Sequence, residues 1–385
     1  MKVVSFFSGA GGMDLGFILA GHEIIWANDF DKYASMSYEY NIGNYHPHTF
    51  IEGDITKVLT SNKETINSII PDPDIIIGGF PCQGFSIANT SRSMNDERNF
   101  LYLELLKAIS VKQPKFFLLE NVKGLENMEN GKVLNMIMDD LEVAGTEKCK
   151  VFPDNKVGYT VYFNVLNALD YGVPQNRERV IIFGFRNDLK IDRNKIINDS
   201  YKDIYKNPRK SLWVPPTHSK FSEVDDKISP IEKVNKLYNN FINKKNPSNF
   251  YSPIDNSKVI YRHTTLADVI RDLPHDFQED DLFIYNHVGS KCKVKISNRV
   301  GNRATSWDKH APTIMGRGSG TGGPLIPPHP EKHRRLSVRE VARIQTFPDN
   351  FIFKGSNSAA YRQIGNAVPV LMAYNIAKIF SKLEN

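Results

Sequence analysis

The chain has 385 residues, a 41% hydrophobic share and a net charge of +6. That length accommodates about two domains with a sizeable core, and no apolar run reaches the roughly 18 residues a membrane span needs. Three cysteines (Cys82, Cys149, Cys292) without C-x-x-C spacing, and histidines without cysteine or carboxylate partners at ligand spacing, exclude a disulfide framework and predict no metal site.

In chain order, Lys2–Phe7 reads as a buried strand running into a glycine turn. One lysine, a very short apolar run and no cleavage-like site argue against a signal peptide there. A helix is predicted over Met13–Ala20, a strand over Glu23–Ala27 and a helix over Asp31–Tyr40. Asp74–Gly78 (DIIIG) is a continuous apolar strand bounded by prolines and Gly79. Asn99–Lys112 is helical, Lys115–Leu119 (KFFLL) is a buried strand, and Gly131–Ala144 is helical. Tyr159–Val165 and Val180–Phe185 are further strands. Apolar runs separated by helices predict an α/β fold: a doubly wound, mostly parallel sheet covered on both faces.

The pattern changes after about Asn187. The next stretch, to about Tyr261, is rich in Lys, Asn, Asp and Pro, and its periodicity is weak. Between Arg186 and Arg262 there are 16 basic and nine acidic residues, which accounts for the whole net charge. Such a segment is either a solvated lysine-rich surface or a face for a polyanion. Thr265–Leu273 is a short helix, and Asn298–Pro330 is rich in Gly, Arg and Pro. Regular structure returns at Ser337–Phe347, where Ser337 and Glu340 form a capping box, and at a final helix over Pro369–Leu383.

Four constellations can carry chemistry. Phe7-Ser8-Gly9-Ala10-Gly11-Gly12-Met13-Asp14 joins a strand to a helix through glycines, the construction of a nucleotide-type cofactor site. Asp14 breaks the dinucleotide fingerprint, so a less anionic adenosine cofactor fits better. Asp29 follows the second strand, where an acid would bind ribose hydroxyls, Phe30 beside it is placed to stack on adenine, and Asp54 would end the third strand at the same crevice. A tight turn beside ordinary surface acids is the plainer alternative. Gly78-Gly79-Phe80-Pro81-Cys82-Gln83-Gly84-Phe85-Ser86 starts at the carboxyl end of a buried strand, which makes Cys82 a candidate nucleophile. Glu120-Asn121-Val122 follows KFFLL and would point a carboxylate into the same crevice, or cap a helix. In Gln175-Asn176-Arg177-Glu178-Arg179, two arginines alternate onto one face of a strand. They would form surface ion pairs, or clamp an anion or a base carbonyl.

The ordered set FSGAGG, GGFPCQGFS, ENV, QNRERV, RRLSVREVARIQTFPD and IGNAVPV, spread over most of the chain, resembles the DNA (cytosine-5) methyltransferases of bacterial restriction-modification type. The resemblance implies a Rossmann-like S-adenosylmethionine-dependent fold. It implies that Phe7, Gly9, Gly11, Gly12, Asp29, Phe30, Asp54, Ile55 and Asn366 surround S-adenosylmethionine, that Cys82 is the nucleophile, that Glu120 binds cytosine, and that Arg177 and Arg179 are active-site arginines. The chemistry matches these residue types. A Cys82 thiolate attacking C6 makes C5 enamine-like, Glu120 hydrogen-bonds N3, and Arg177 sits at O2. The base must be flipped out of its duplex to be reached.

The resemblance also divides the chain. Residues 1–187 and 331–385 form the catalytic and cofactor domain, and 188–330 form a target-recognition domain that binds duplex DNA. Gln83, Ser86, Arg299, Arg303, Thr313 and Arg317 are expected to contact DNA, with Arg303 and either Arg299 or Arg317 reading guanines. A cytoplasmic monomer is expected, without metal or membrane. Three rivals are a tRNA methyltransferase of the same family, a non-catalytic DNA-binding relative, and a nicotinamide-dependent oxidoreductase. The length of the 188–330 segment disfavours the first. The intact Pro81-Cys82 and Glu120-Asn121-Val122 disfavour the second, and Asp14 with the cysteine loop disfavours the third.

Overall fold

The computed structural model describes residues 1–60, 62–81, 101–192, 196, 209–210, 214–243, 260–277, 284–289, 293–299, 301–316 and 325–383. Seven strands build the main sheet: β1 (Lys2–Phe6), β2 (Glu23–Asp29), β3 (Thr49–Glu52), β4 (Ile75–Gly78), β5 (Phe116–Val122), β6 (Tyr159–Asn167) and β7 (Glu178–Arg186). Their spatial order is β3-β2-β1-β4-β5-β7-β6. The pairs among β1 to β5 are parallel, whereas β7 runs antiparallel to both β5 and β6. The sequence gives no sign of this reversal in its apolar runs, but it does in its spacing. Only residues 168–177 join β6 to β7, and a parallel crossover needs about a dozen or more residues, usually a helix. A short return therefore forces an antiparallel strand.

The helices are α1 (Gly12–Leu19), α2 (Lys32–Tyr38), α3 (Ile55–Leu59), α4 (Lys63–Ile69), α5 (Tyr102–Lys112), α6 (Gly124–Asn127), α7 (Lys132–Glu142), α8 (Pro230–Ile242), α9 (Ala267–Ile270), α10 (Val338–Ile344), α11 (Asn357–Asn366) and α12 (Val370–Leu383). A π-helical turn, Glu39–Gly43, prolongs α2. A short parallel pair, β8 (His218–Ser219) and β9 (Tyr261–Arg262), lies outside the main sheet. No helix among the described residues is long and apolar enough to cross a membrane.

Successive strand residues point to opposite faces, so unbroken apolar strands feed two cores. Val3, Ile75, Ile77, Leu118, Ile181 and Phe183 join the core that contains α1, α10 and α12. Val4, Phe6, Ile76, Phe117, Leu119 and Ile182 join the core made with α3, α4, α5 and α7. The first core also takes in Ile231, Val234 and Tyr238 of α8, Val269 and Ile270 of α9, and Ala311 and Ile314. Much of the segment after Asn187 is thus packed against the sheet's own helices.

Helix α8 falls in the stretch whose periodicity looks weak, yet its start is written plainly. Ser229 accepts from the Glu232 N–H and Pro230 occupies the first turn. Its buried residues Ile231, Val234 and Tyr238 recur at helical spacing. The capping box expected at Ser337 and Glu340 is present at the start of α10.

The closest helix contact is between α1 and α12, at Gly16. A Cβ there would fall 2.4 Å from the Ala373 Cβ and 2.7 Å from the Tyr374 nitrogen. Gly→Ala inside a helix gains about 1 kcal/mol from propensity, whereas overpacking costs about 1–3 kcal/mol. The obstacle here includes backbone, which yields little, so overpacking wins. Gly16→Ala is expected to lower the urea unfolding midpoint; a raised midpoint would show that α12 moves aside without penalty.

Candidate active site

The strand order reverses between β1 and β4, and ligands bind in such sheets at the carboxyl edge beside that point. After β1 the chain turns through Phe7 (φ 54°), Gly9 (φ 56°) and Gly11 (φ 89°) into α1. The left-handed backbone at Gly11 starts the helix without a side-chain cap. A Cβ on Gly9 would meet nothing within 4 Å, so open space lies over the loop. Beside it, the Gly9 N–H donates to Asp29 Oδ2 (2.7 Å) and the Asp31 N–H to Asp29 Oδ1 (2.8 Å). Asp29 is buried at the end of β2, and burial raises its carboxyl above the ordinary range. Phe30, next to it, is 73% exposed.

The opposite wall comes from the C-terminal end of α11. A Cβ on Gly12 would lie 2.5 Å from the Val368 carbonyl oxygen and 3.1 Å from the Ala367 Cβ, so this stretch is pressed onto the loop, and Asn366 just before it has its Oδ1 against Gly316. Asp54 caps α3, accepting through Oδ1 from the Thr56 N–H (3.0 Å) and hydroxyl (2.8 Å). Ile55 is 2% exposed with its side chain in the second core, so only its main chain is available to a ligand. A carboxylate with spare lone pairs, a bare aromatic ring and open space over glycine fit the hydroxyls and base of an adenosine-type group.

Asp14 serves the scaffold. It is fully buried and accepts from the Ser5 hydroxyl (2.8 Å) and the Tyr38 hydroxyl (2.8 Å). The departure from the dinucleotide fingerprint is therefore a tie between β1, α1 and α2.

The second half of the site lies where β4 and β5 end. Beyond Gly78 the chain passes through Gly79, buried Phe80 and Pro81, with the Phe80 carbonyl held by the Asn121 side-chain amide (3.1 Å). Glu120, 8% exposed, pairs through Oε1 with Arg179 Nε at 2.7 Å. Its Oε2 lies 3.0 Å from where a Cβ on Gly79 would stand, so glycine leaves this oxygen uncovered. Burial lowers the Arg179 guanidinium from its ordinary value, and Glu120 pulls it back. Cys82, Gln83, Ser86 and Arg317 lie outside the described residues.

Arg177 departs from expectation. It is 1% exposed and its terminal nitrogens donate to the carbonyls of Ile314 (2.8 Å), Gly365 (2.9 Å) and Ala367 (2.9 Å). Its Nε has no partner among the described residues. A guanidinium engaged in this way is not placed to contact a base carbonyl; Arg179 is the arginine that meets Glu120. Gln175 and Gln345, to which the sequence assigns no role, are fully buried beside Arg177 and bonded to each other (2.9 Å).

Of the remaining residues expected to contact DNA, one touches the lead-in to β7. Thr313 donates its hydroxyl to the Asn176 carbonyl (2.6 Å). Arg299 and Arg303 are exposed, and Arg303 Nε bonds the Asn298 carbonyl (3.2 Å). Arg335, absent from the expected set, braces their loop by bonding the Gly301 carbonyl (2.7 Å) and Asn302 Oδ1 (2.9 Å).

A glycine loop at the point where the strand order reverses and a buried glutamate–arginine pair at the adjoining strand ends are the construction expected of a group-transfer enzyme. A family model described as C-5 cytosine-specific DNA methylase matches residues 1–382, and the chain belongs to that family. It is similar to the Type II methyltransferase M.FnuDI of Fusobacterium nucleatum, with 34% identity over 98% of this chain and 93% of that protein. It is similar to M.HhaI of Haemophilus parahaemolyticus, with 30% identity over 98% and 94%. A solved structure, an E. coli prophage protein named as a DNA modification methyltransferase, shares the fold, with a TM-score of 0.64, 23% identity and coverage of 100% and 99%.

The Asp14 environment has a measurable consequence. Burial raises its carboxyl from 3.8 to about 6 against the two hydroxyl bonds. The folded protein thus keeps a proton that the unfolded chain releases, so this group's contribution to stability is lost as pH rises from about 4 to 6. Asp14→Asn has no proton to lose. From pH 4 to pH 7 the wild type should lose about 2–3 kcal/mol relative to the variant in urea unfolding. A gap that stays constant with pH would place the Asp14 titration in the ordinary range.

Proposed function

We propose that this DNA (cytosine-5) methyltransferase uses S-adenosylmethionine and attacks its target base through Cys82, as the modification enzyme of a restriction-modification system acting on a short duplex sequence. Phe7, Gly9, Gly11, Gly12, Asp29, Phe30, Asp54, the Ile55 main chain and Asn366 hold the cofactor, whose sulfonium makes the methyl group electrophilic. The names of the Type II relatives support the restriction-modification setting. The observation that carries the catalytic reading is the 2.7 Å pair between Glu120 and Arg179, set against the bare backbone of Gly79 three positions before Cys82.

The pair suits a base whose ring takes up charge. The Cys82 thiolate adds to C6, and electron density moves to C5 and N3. Glu120, carrying a proton, donates a hydrogen bond to N3 and offsets that charge, while Arg179 fixes the glutamate and takes the O2 position first assigned to Arg177. C5 takes the methyl group. Water takes the C5 proton, and the electrons of that C–H bond restore the C5–C6 double bond as the C6–S bond breaks and the thiolate returns. Cytosine inside a duplex cannot reach Cys82, so the base is flipped out. We assign 188–330 to recognition of the target. Of its arginines, Arg303 is exposed on a loop that Arg335 holds in place, which suits a side chain reading a guanine edge.

Two experiments test this reading. With a duplex carrying 5-fluorocytosine at the target, the wild type should form an adduct that survives denaturing gels, because fluorine does not leave C5 as a proton does. Cys82→Ser should form none, and Glu120→Gln should slow transfer by about 10²–10⁴-fold. The same adduct with Cys82→Ser would remove Cys82 from the mechanism.

The second is methylation of a randomised duplex library read by bisulfite sequencing. Arg303→Ala should relax preference at one base pair and cost about 1–3 kcal/mol on the wild-type motif. A profile unchanged at every position would make Arg303 a backbone contact or a loop brace.

A further inference from the structure

Two buried bridges span the same pair of walls. One wall is the segment 311–316, which continues from the arginine loop. It docks beside the lead-in to β7, with the Ala311 N–H donating to the Pro174 carbonyl (2.8 Å) and the Asn176 N–H to the Ala311 carbonyl (3.0 Å). The other wall is the end of α11 with Ala367 and Val368, which presses on Gly12 and carries Asn366.

The first bridge is Arg177, whose fork holds the Ile314 carbonyl on one side and those of Gly365 and Ala367 on the other. The second is a chain of amides. The Ile314 N–H donates to Gln175 Oε1 (2.9 Å), Gln175 Nε2 to Gln345 Oε1 (2.9 Å), and Gln345 Nε2 to the carbonyls of Ile364 (2.7 Å) and Ala367 (3.3 Å). Between the bridges the walls touch. A Cβ on Gly365 would fall 2.3 Å from the Gly316 nitrogen, and one on Gly316 would fall 2.2 Å from Asn366 Oδ1. Segment 311–316 cannot shift without stripping partners from buried polar groups, each of which costs about 1–3 kcal/mol unpaired.

We propose that Arg177 and Gln345 are positioning residues that couple cofactor binding at the Gly9–Asn366 cleft to the seating of the target duplex on the arginine loop and segment 311–316. The inference rests on the cofactor and recognition assignments proposed above. A ligand that immobilises one wall lowers the ordering cost of the other, so each ligand tightens the other.

The test is calorimetry with S-adenosylhomocysteine, using wild type, Arg177→Lys, Gln345→Met and the double variant, each checked for folding by thermal denaturation. Affinity is measured without DNA and with a saturating duplex of the motif found by library sequencing. Wild-type affinity should rise about 5–150-fold with duplex. Each single variant should lower that ratio roughly threefold or more, and the double variant should bring it near one. A role confined to stability would lower the melting temperature and leave the ratio unchanged.

A wild-type ratio of one, or a wild-type ratio in Gln345→Met, overturns the proposal. Gln345→Met keeps side-chain volume and decides the matter if Arg177→Lys fails to fold. A duplex with an abasic site in place of the target cytosine separates the two roles open to Arg177. The loss in Arg177→Lys persists on that duplex if Arg177 acts through Ile314, and vanishes if it contacts the base, which would overturn its assignment. Failure of the underlying reading looks different: S-adenosylhomocysteine affinity without DNA would then be unaffected by Asn366→Ala.

Discussion

Strand β7 runs against its neighbours, and the site depends on that direction. Parallel strands deliver their carboxyl ends to one edge, so β1, β2, β4 and β5 bring the glycine loop, Asp29, Gly79 and Glu120 there. An antiparallel strand delivers its beginning to the same edge. The lead-in Gln175–Arg177 and the first residues of β7 thus arrive where the other strands end, and Val122 of β5 lies opposite Arg179. Had β7 been parallel, Arg179 would sit at the far edge, away from Glu120. The short return from β6, which leaves no room for a crossover helix, is what sets this direction.

Two arginines on one face of that lead-in have different roles, and burial decides which. Arg179 has a carboxylate partner at 2.7 Å, which offsets the cost of removing its charge from water. Arg177 is as deeply buried but donates to neutral carbonyls, and burial draws it well below the ordinary guanidinium range, with Arg179 adding to the fall and Glu120 opposing it. Sequence alternation places both arginines on one face and goes no further. Which one faces Glu120 depends on the register of β5 against β7, and which one finds carbonyls depends on a segment over 130 positions away in the chain.

Much of the fold was legible because its signals are local. Unbroken apolar runs marked β1, β2, β4, β5, β6 and β7, and the Ser337–Glu340 box marked the start of α10. Helix α8 was equally local in its Ser-Pro-Ile-Glu start, but the surrounding lysines and asparagines hid three apolar positions at helical spacing. The site divides along the same line. Cys82, Glu120 and the glycine loop stand out because nucleophiles, buried acids and glycine turns are unusual at strand ends. Gln175 and Gln345 do not, because a glutamine inside a core becomes intelligible only when its partner, 170 residues distant, is in view. Asp54 shows the limit from the other side. It stands two positions beyond the end of β3 and its side chain caps α3, a helix start that its place after a strand does not announce.

The acceptors that Arg177 and Gln345 use bear on the segment proposed above for target recognition. The five bonds that their side chains donate, to Ile314, Ile364, Gly365 and Ala367, all end on main-chain carbonyls. A main-chain carbonyl is present whatever side chain its residue carries. Segment 311–316 is therefore docked largely by its backbone, with the buried Ala311 and Ile314 side chains, the Thr313 hydroxyl bond to the Asn176 carbonyl and the close approach at Gly316 as the exceptions. Side chains on the adjoining loops remain free of that duty. Arg303, exposed and, among the described residues, held only through Nε to its own loop, is one such position. Under the proposed assignments, the bridge between the two walls is independent of the side chains on the loop that carries Arg303.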